Sequence, residues 1–477
     1  MYKKVQDQGS IEPLGRARQI YSRVISRALA NGTTSAAYYA TIDVPATDAL
    51  AEIALQLGQR ALIGRVCMDE PRTCPAYYRD EGSDATIDKT KSCIEYCRKL
   101  DPQGRRIRPV VTPRFAPSCQ RETLRRLGDL VIQDNKDRVR ERQDIGTRSS
   151  SRRRCSPSPI LSRQLMIQTH LSETKSEIGL VRSLFSSSSS PENPSSSSTS
   201  PHPTFSTLSY ASLYDTFNLL TPSTILAHAV HLSNSEIELI RQRQSKIAHC
   251  PASNTALGSG HCNVRKLLDA GIDVGLGTDV SGGFSVGVLD AVRQAYLVSR
   301  TVRYHAEEAG EDVPDRRGGD DGRMRKTMVN EKNINTDNNT TDISATIESR
   351  SSASSFPEPL SISELLYLAT VGGAKVIGMD GQLGTFEPGM LWDVQEIDLF
   401  AGTGTDDSLT ITTTNDDNTS NVATTAIAAA APFPTAPSPI DIFGWESWEE
   451  RVAKWVWSGD DRNVRRVWVG GRLVHRK

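Results

Sequence analysis

No stretch of this chain approaches the roughly 20 consecutive apolar residues that a membrane-spanning helix needs. The start, MYKKVQDQGS, is polar and carries no apolar core of a secretory signal. Both absences lead to the expectation of a cytoplasmic protein with no membrane partner. Charge of one sign is also lacking: 56 Lys and Arg against 57 Asp and Glu leave a net charge of −1, so there is no global pull toward nucleic acid. The basic stretch from Arg138 to Arg154 is interrupted by acids and contains no aromatic residue, which suits a solvated segment rather than a nucleic-acid surface. Aromatics make up 6% and hydrophobic residues 37%, so part of the 477-residue length must lie outside any core. The eight cysteines are irregularly spaced, as expected of reduced thiols rather than a disulfide framework. Cys93 and Cys97, four apart without a second pair, read as core packing. No histidine precedes His170.

What is present is an alternation of helix and strand patterns. Ala17 to Ala30 has helical apolar spacing that stops at Asn31-Gly32, and Thr33 to Ile42 reads as a strand. A helix capped near Thr47 or Asp48 closes at Gly58, followed by a buried strand from Ala61 to Asp69. The pattern continues with a helix over Ser92 to Leu100, a strand over Ile107 to Phe115, and a helix over Arg121 to Leu127. Further strands are expected at Leu165 to Glu173, Thr224 to His231, Lys246 to Asn254 and Asp273 to Val280, with a helix over Val288 to Arg300. Such regularity argues for an α/β fold with a parallel sheet and helices outside it. Seven strand candidates result, one short of an eight-stranded (β/α) barrel.

Four segments break the alternation: Asn135 to Ser158, Ser186 to Pro203, Tyr304 to Pro359 and Ala401 to Pro439. Each has too few large apolar residues to offset its ordering entropy and is expected to be an insertion without fixed structure. The expected organisation is therefore a barrel over 1–303 with insertions at about 135–158 and 186–203, an insertion over 304–359, and a helix with the start of a small β unit over 360–400. An insertion over 401–439 and the end of the β unit over 440–477 complete it. Ile362 to Ile377 carries the helix signal, and Val464 to Val474 a hairpin turning at Gly470-Gly471.

The chemistry lies at strand ends. LMIQTHLSE (165–173), TILAHAVH (224–231) and DVGLGTDV (273–280) are apolar runs ending in polar tips, where side chains of several strands can converge. His170, His228 and Asp279 are expected to meet at a metal, Zn²⁺ or a similar ion, because imidazole nitrogens and carboxylate oxygen suit it. Glu173, three residues beyond His170, would stand beside it as proton carrier, and Asp279 counts as a catalytic carboxylate as well as a ligand. His231 competes with His228, and Asp279 could instead cap a helix. His249 is expected in a supporting or substrate-side role. Arg114 and Phe115 in TPRFAPSC offer a guanidinium fork and a flat apolar face for substrate, the alternative for Arg114 being a salt bridge at the barrel mouth.

The runs RALIGRVCMD, VTPRFAPSC, MIQTHLSE, ILAHAVHLS, IAHCPASNTALGSG and GLGTDVSGG, in this order, resemble the guanine deaminases of the metal-dependent amidohydrolase superfamily. The resemblance runs from about Tyr21 to Arg300 and resumes over Ile362 to Ile397 and from Pro439 onward. It implies a (β/α)8 TIM-type barrel with a small β domain and zinc-dependent hydrolysis of guanine to xanthine and ammonia, by a possible homodimer. By position it makes His170, His228 and Asp279 look like zinc ligands, Glu173 like the general acid and base, and Arg114 and Phe115 like the purine contacts. The family's first barrel strand carries a His-x-His pair with two more zinc ligands, so the expectation is a barrel missing its first strand. His261 and Cys262 stand in the GSG loop where the resemblance implies apolar residues. Two other readings stay open: a deaminase or hydrolase of another amino-substituted heterocycle, and a non-catalytic barrel that binds a partner.

Overall fold

The computed structural model describes residues 13–148, 164–186, 209–308, 358–400 and 438–477, and of 141–148 and 186 the backbone alone. Helix α1 (Pro13–Ala30) buries Ile25, Ala28 and Leu29, and Gly32 at φ +77° turns the chain into β1 (Ser35–Tyr39). Helix α2 (Val44–Leu57) is capped by Asp43, whose carboxylate accepts the Ala46 N–H at 2.8 Å. The cap expected at Thr47 or Asp48 is thus four or five residues early, because Pro45 suits the first helical turn and the Thr47 hydroxyl donates back to the Asp43 carbonyl. The expected strand over 61–69 is two pieces, β2 (Arg60–Gly64) and β3 (Val66–Cys67), with Arg65 between them. The Arg65 side chain is fully buried, donates to the Ile42 carbonyl at 2.8 Å and pairs with Asp80, and this inward guanidinium interrupts the ladder.

Helix α3 (Ser83–Leu100) leads to β4 (Ile107–Pro113) and then to α4 (Arg121–Arg148), which continues well past Leu127. Its backbone takes in much of the segment expected to lack fixed structure. Val131 is buried on it, Arg98 of α3 grips Asp134 with two 2.7 Å bonds, and Arg138 pairs with Asp134 one turn away at 3.1 Å. The rest of that insertion, 149–158, lies outside the described residues, as do 187–203, 309–357 and 401–437 of the other three. Strand β5 (Met166–Leu171) is followed by α5 (Lys175–Ser186) and α6 (Tyr210–Thr216). Strand β6 (Thr224–His228) feeds α7 (Asn234–Gln242), started by a reciprocal Ser233–Glu236 cap. Then come β7 (Lys246–His249), α8 (Pro251–Ala256), α9 (Val264–Asp269), β8 (Val274–Leu276) and α10 (Val288–Glu308), which extends past the expected domain limit at 303. The expected helix over 362–377 is α11 (Ile362–Tyr367) and α12 (Gly373–Val376) joined by a π-helical turn.

All seven expected strands stand in one parallel sheet in the order β1-β2-β4-β5-β6-β7-β8, with β3 also on β4. Among the described residues no ladder joins β1 to β8, so the sheet is an arc with two edges. It is curled: the Gln168 side chain on β5 donates to the Tyr38 carbonyl on β1 at 2.7 Å, although β2 and β4 lie between them in the sheet. Leu62, Val110, Met166 and Ile225 fill the concave face against Val376 of α12. The large outer cluster packs Val111, Ile167, Leu226, Ile247 and Val274 under the helices. A small antiparallel sheet, β9 (Val394–Ile397), β10 (Val464–Val469) and β11 (Arg472–Arg476), follows helix α13 (Trp448–Ser458) in part. It docks through Val469 and Val474 onto α1 and α2, and through buried Asp393, which accepts from Arg60 at 3.0 Å and from the Gly470 N–H at 2.7 Å.

Candidate active site

The C-terminal tips of β1, β5, β6 and β7 and the loop after β8 meet at one end of the arc. Strand alternation puts Met166, Gln168 and His170 of β5 on the concave face. On β6 the same rule puts Ile225 inward and leaves His228 with Leu226 on the outer face. His228 escapes that rule because its φ is +70°. The left-handed backbone turns the ring inward to lie against His170, with ring centroids 5.2 Å and planes 19° apart. A non-glycine residue there costs about 1–2 kcal/mol. Ser172 at φ +51° and Asp279 at +45° carry the same strain, so it gathers where these side chains converge.

Each imidazole is held through Nδ1. His170 Nδ1–H donates to the Arg114 carbonyl at 2.5 Å, and His228 Nδ1–H to Asn254 Oδ1 at 2.8 Å. Both partners can only accept, so each ring keeps its proton on Nδ1 and turns Nε2 toward the site. Burial, reinforced by the adjacent His228, pushes His170 down to about 3, which keeps it neutral near pH 7. Glu173 sits beside the pair with Oε2 3.8 Å from His228 Nε2, while its Oε1 accepts the Ser259 hydroxyl at 2.9 Å. The Glu173 N–H is taken by Glu177 at the start of α5. The competing His231 is tied elsewhere, its Nε2–H donating to the Ser259 carbonyl at 2.7 Å. His249 is fully buried with both ring nitrogens unpartnered, and burial with His228 nearby pushes it down to about 3.

Asp279 starts no helix, since α10 begins at Val288. Its carboxylate lies against Gly282, where a Cβ would fall 2.6 Å from Oδ2 and 2.7 Å from Ser253 Oγ, and it faces Tyr39 electrostatically. Among the described residues no three His, Cys, Asp or Glu side chains come together closely enough to hold one ion. The structure brings His170, His228 and Glu173 together, and Asp279 does not join them at ligand distance. The donor pair still fits a divalent cation: two imidazoles, each oriented by a carbonyl-type acceptor on its far nitrogen and presenting Nε2, are the usual preparation for metal binding.

Arg114 is exposed on the rim, its guanidinium carbon 5.6 Å from the Phe115 ring centre and Nη1 3.8 Å from Met68 Sδ. No carboxylate among the described residues pairs with it, so the salt-bridge alternative is not what the structure contains. Three contributors escaped the sequence reading. Tyr39 lies with its ring 4.4 Å from His170 and its buried hydroxyl unpartnered, Tyr214 donates to the His170 carbonyl at 2.8 Å, and Asn254 holds His228. Tyr39 ends a strand, which is the one signal that could have marked it. Cys262 is buried, its thiol on the Ala229 carbonyl at 3.4 Å, while His261 is exposed and stacks toward His305.

The family model for amidohydrolases matches residues 7–315 and 333–474. The chain belongs to the amidohydrolase family. Within this family it is 36% identical over 467 residues to a protein described as a probable guanine deaminase of Schizosaccharomyces pombe, covering 98% of this chain and 64% of that one. Against the guanine deaminase of Dictyostelium discoideum the identity is 32% over 458 residues, covering 96% of this chain and 72% of the relative. Among solved structures, the guanine deaminase of C. acetobutylicum with bound guanine superposes with a TM-score of 0.63 at 25% identity, over 97% of this chain and 76% of that one. The chain therefore spans just under two thirds of the length of the S. pombe relative. Its amidohydrolase fold accounts for the curled parallel sheet and the small antiparallel sheet beside it. No helix among the described residues is long and apolar enough to cross a membrane.

Proposed function

We propose that this chain is a zinc-dependent guanine deaminase, converting guanine and water to xanthine and ammonia. The observation that carries the reading is the pair of adjacent imidazoles, His170 and His228, each locked through Nδ1, with the Glu173 carboxylate 3.8 Å from His228 Nε2. His170 and His228 are the residues that would hold Zn²⁺, with Asp279 the further ligand that the resemblance implies once its carboxylate is drawn in, and the ion would supply Lewis acidity that makes water a nucleophile near neutral pH. Glu173 takes a proton from the attacking water and delivers it to the ring nitrogen beside the amino-bearing carbon, then carries the proton of the new hydroxyl to the amino group, so that the C–N bond breaks with release of ammonia as the C=O bond forms. Arg114 donates to the purine carbonyl and Phe115 lies along the ring. The amidohydrolase membership and the resemblance to guanine deaminases support this choice of substrate. A cytoplasmic location and a homodimer belong to the same proposal and rest on that resemblance.

The test is ammonia release from guanine, adenine, a pterin and an aminotriazine by the purified zinc-loaded chain. Turnover of guanine alone or at least ten times faster than the others is expected, with Arg114→Gln raising KM for guanine. Preferential turnover of a heterocycle without the guanine carbonyl would favour the other-heterocycle reading instead.

A further inference from the structure

Glu173 must present one oxygen to the reaction and keep that orientation through each turnover, and the structure assigns this task to Ser259 in the loop after α8. This inference rests on the deaminase reading for its kinetic consequence but not for its geometry. The Ser259 hydroxyl donates to Glu173 Oε1 at 2.9 Å, and Ser259 itself is buried. One oxygen of the carboxylate is thereby engaged, and the other is left toward His228.

The serine is anchored from two sides. Its carbonyl accepts His231 Nε2–H at 2.7 Å, and the His231 backbone N–H in turn reaches the carbonyl of Ser172, the residue just before Glu173. Its own N–H donates to the Asn254 carbonyl at 2.8 Å. The next residue has to be glycine: Gly260 sits at φ +122°, and a Cβ there would fall 3.1 Å from the His231 ring. The buried thiol of Cys262, donating to the Ala229 carbonyl, straps the far side of the same loop to the end of β6.

One segment, from Asn254 to Ser259, therefore orients two groups at once. Asn254 fixes the His228 ring, and Ser259 fixes the carboxylate that faces it. Ser259 is a positioning residue: without its hydroxyl, Oε1 loses its donor and the side chain is free to rotate among rotamers that no longer face His228. Displacements of this kind reduce a chemical step by about 10- to 100-fold while leaving substrate binding in place.

The experiment compares the full zinc-loaded chain with Ser259→Ala and Ser259→Thr, by kinetics on guanine and by crystal structures of wild type and Ser259→Ala. The expected result is a kcat lowered about 10- to 100-fold in Ser259→Ala at a KM within twofold, recovery in Ser259→Thr, which keeps the hydroxyl, and a Glu173 side chain displaced or split only in Ser259→Ala. A rise in KM with unchanged kcat, no recovery by threonine, or a Glu173 conformer identical in both crystals would overturn it. If the wild type turns over no guanine, the two crystals still decide: Glu173 moving in Ser259→Ala upholds the positioning role while the deaminase reading fails.

Discussion

Arg65 and Asp80 form an ion pair with neither side chain exposed, and removing one partner tests how the β2–β3 break is held. In Asp80→Ala the guanidinium stays in place with only the Ile42 carbonyl at 2.8 Å and the Cys67 sulfur at 3.9 Å as partners. A buried charge stranded in this way costs about 3–5 kcal/mol. Lys89 also loses a contact to Asp80 at 3.2 Å, but its side chain is 37% exposed and keeps Glu81, so that loss adds about 0–1 kcal/mol. The single variant should therefore be destabilised by about 4 kcal/mol, roughly a thousandfold in the folded-to-unfolded ratio. The double variant Arg65→Met with Asp80→Ala strands no charge and should recover to within about 2 kcal/mol of wild type. Urea unfolding followed by tryptophan fluorescence gives both numbers. A loss under about 1 kcal/mol in Asp80→Ala, or a double variant as unstable as the single, would refute the reasoning.

Two further outcomes follow from the site. Asn254→Ala removes the acceptor that fixes the His228 ring and should weaken zinc binding about 10- to 100-fold in competition with a chromophoric chelator, and unchanged affinity would show that the ring is held by packing alone. In the metal-free chain, His249 is neutral when folded down to about pH 3, whereas the unfolded chain protonates it below about 6.5, so the unfolded state binds more protons across that window. Its contribution is present above about 6.5 and is lost as pH falls, by about 2 kcal/mol between pH 7 and 5. His249→Leu should flatten the pH dependence of the urea midpoint by that amount, and an unaltered slope would contradict the burial argument.

The strands were legible because a strand buried on both faces reads as an apolar run, and β5 announced its functional tip by carrying His170 at its next-to-last position. Helix α4 was underread because its second half is charge-rich, and because the pair that ties its middle to α3, Arg98 with Asp134, joins two separate elements. The break at Arg65 depends on Asp80, a partner that no local pattern reveals. At the site, residue type and strand position identified His170, His228 and Glu173 as neighbours. The inward turn of His228 could not be read, since it needs a positive φ at a non-glycine residue against the strand alternation. Asn254, Ser259 and Tyr39 gain their roles only from tertiary contacts.

The most direct test of the central claim is xanthine formation from guanine during a zinc titration of the full chain, run beside Glu173→Gln. The account predicts a rate that rises to a plateau at one zinc per chain, and a variant that binds zinc equally but turns over about 10²- to 10⁴-fold more slowly. Zinc bound at that stoichiometry with no xanthine formed, or a Glu173→Gln rate equal to wild type, would contradict it.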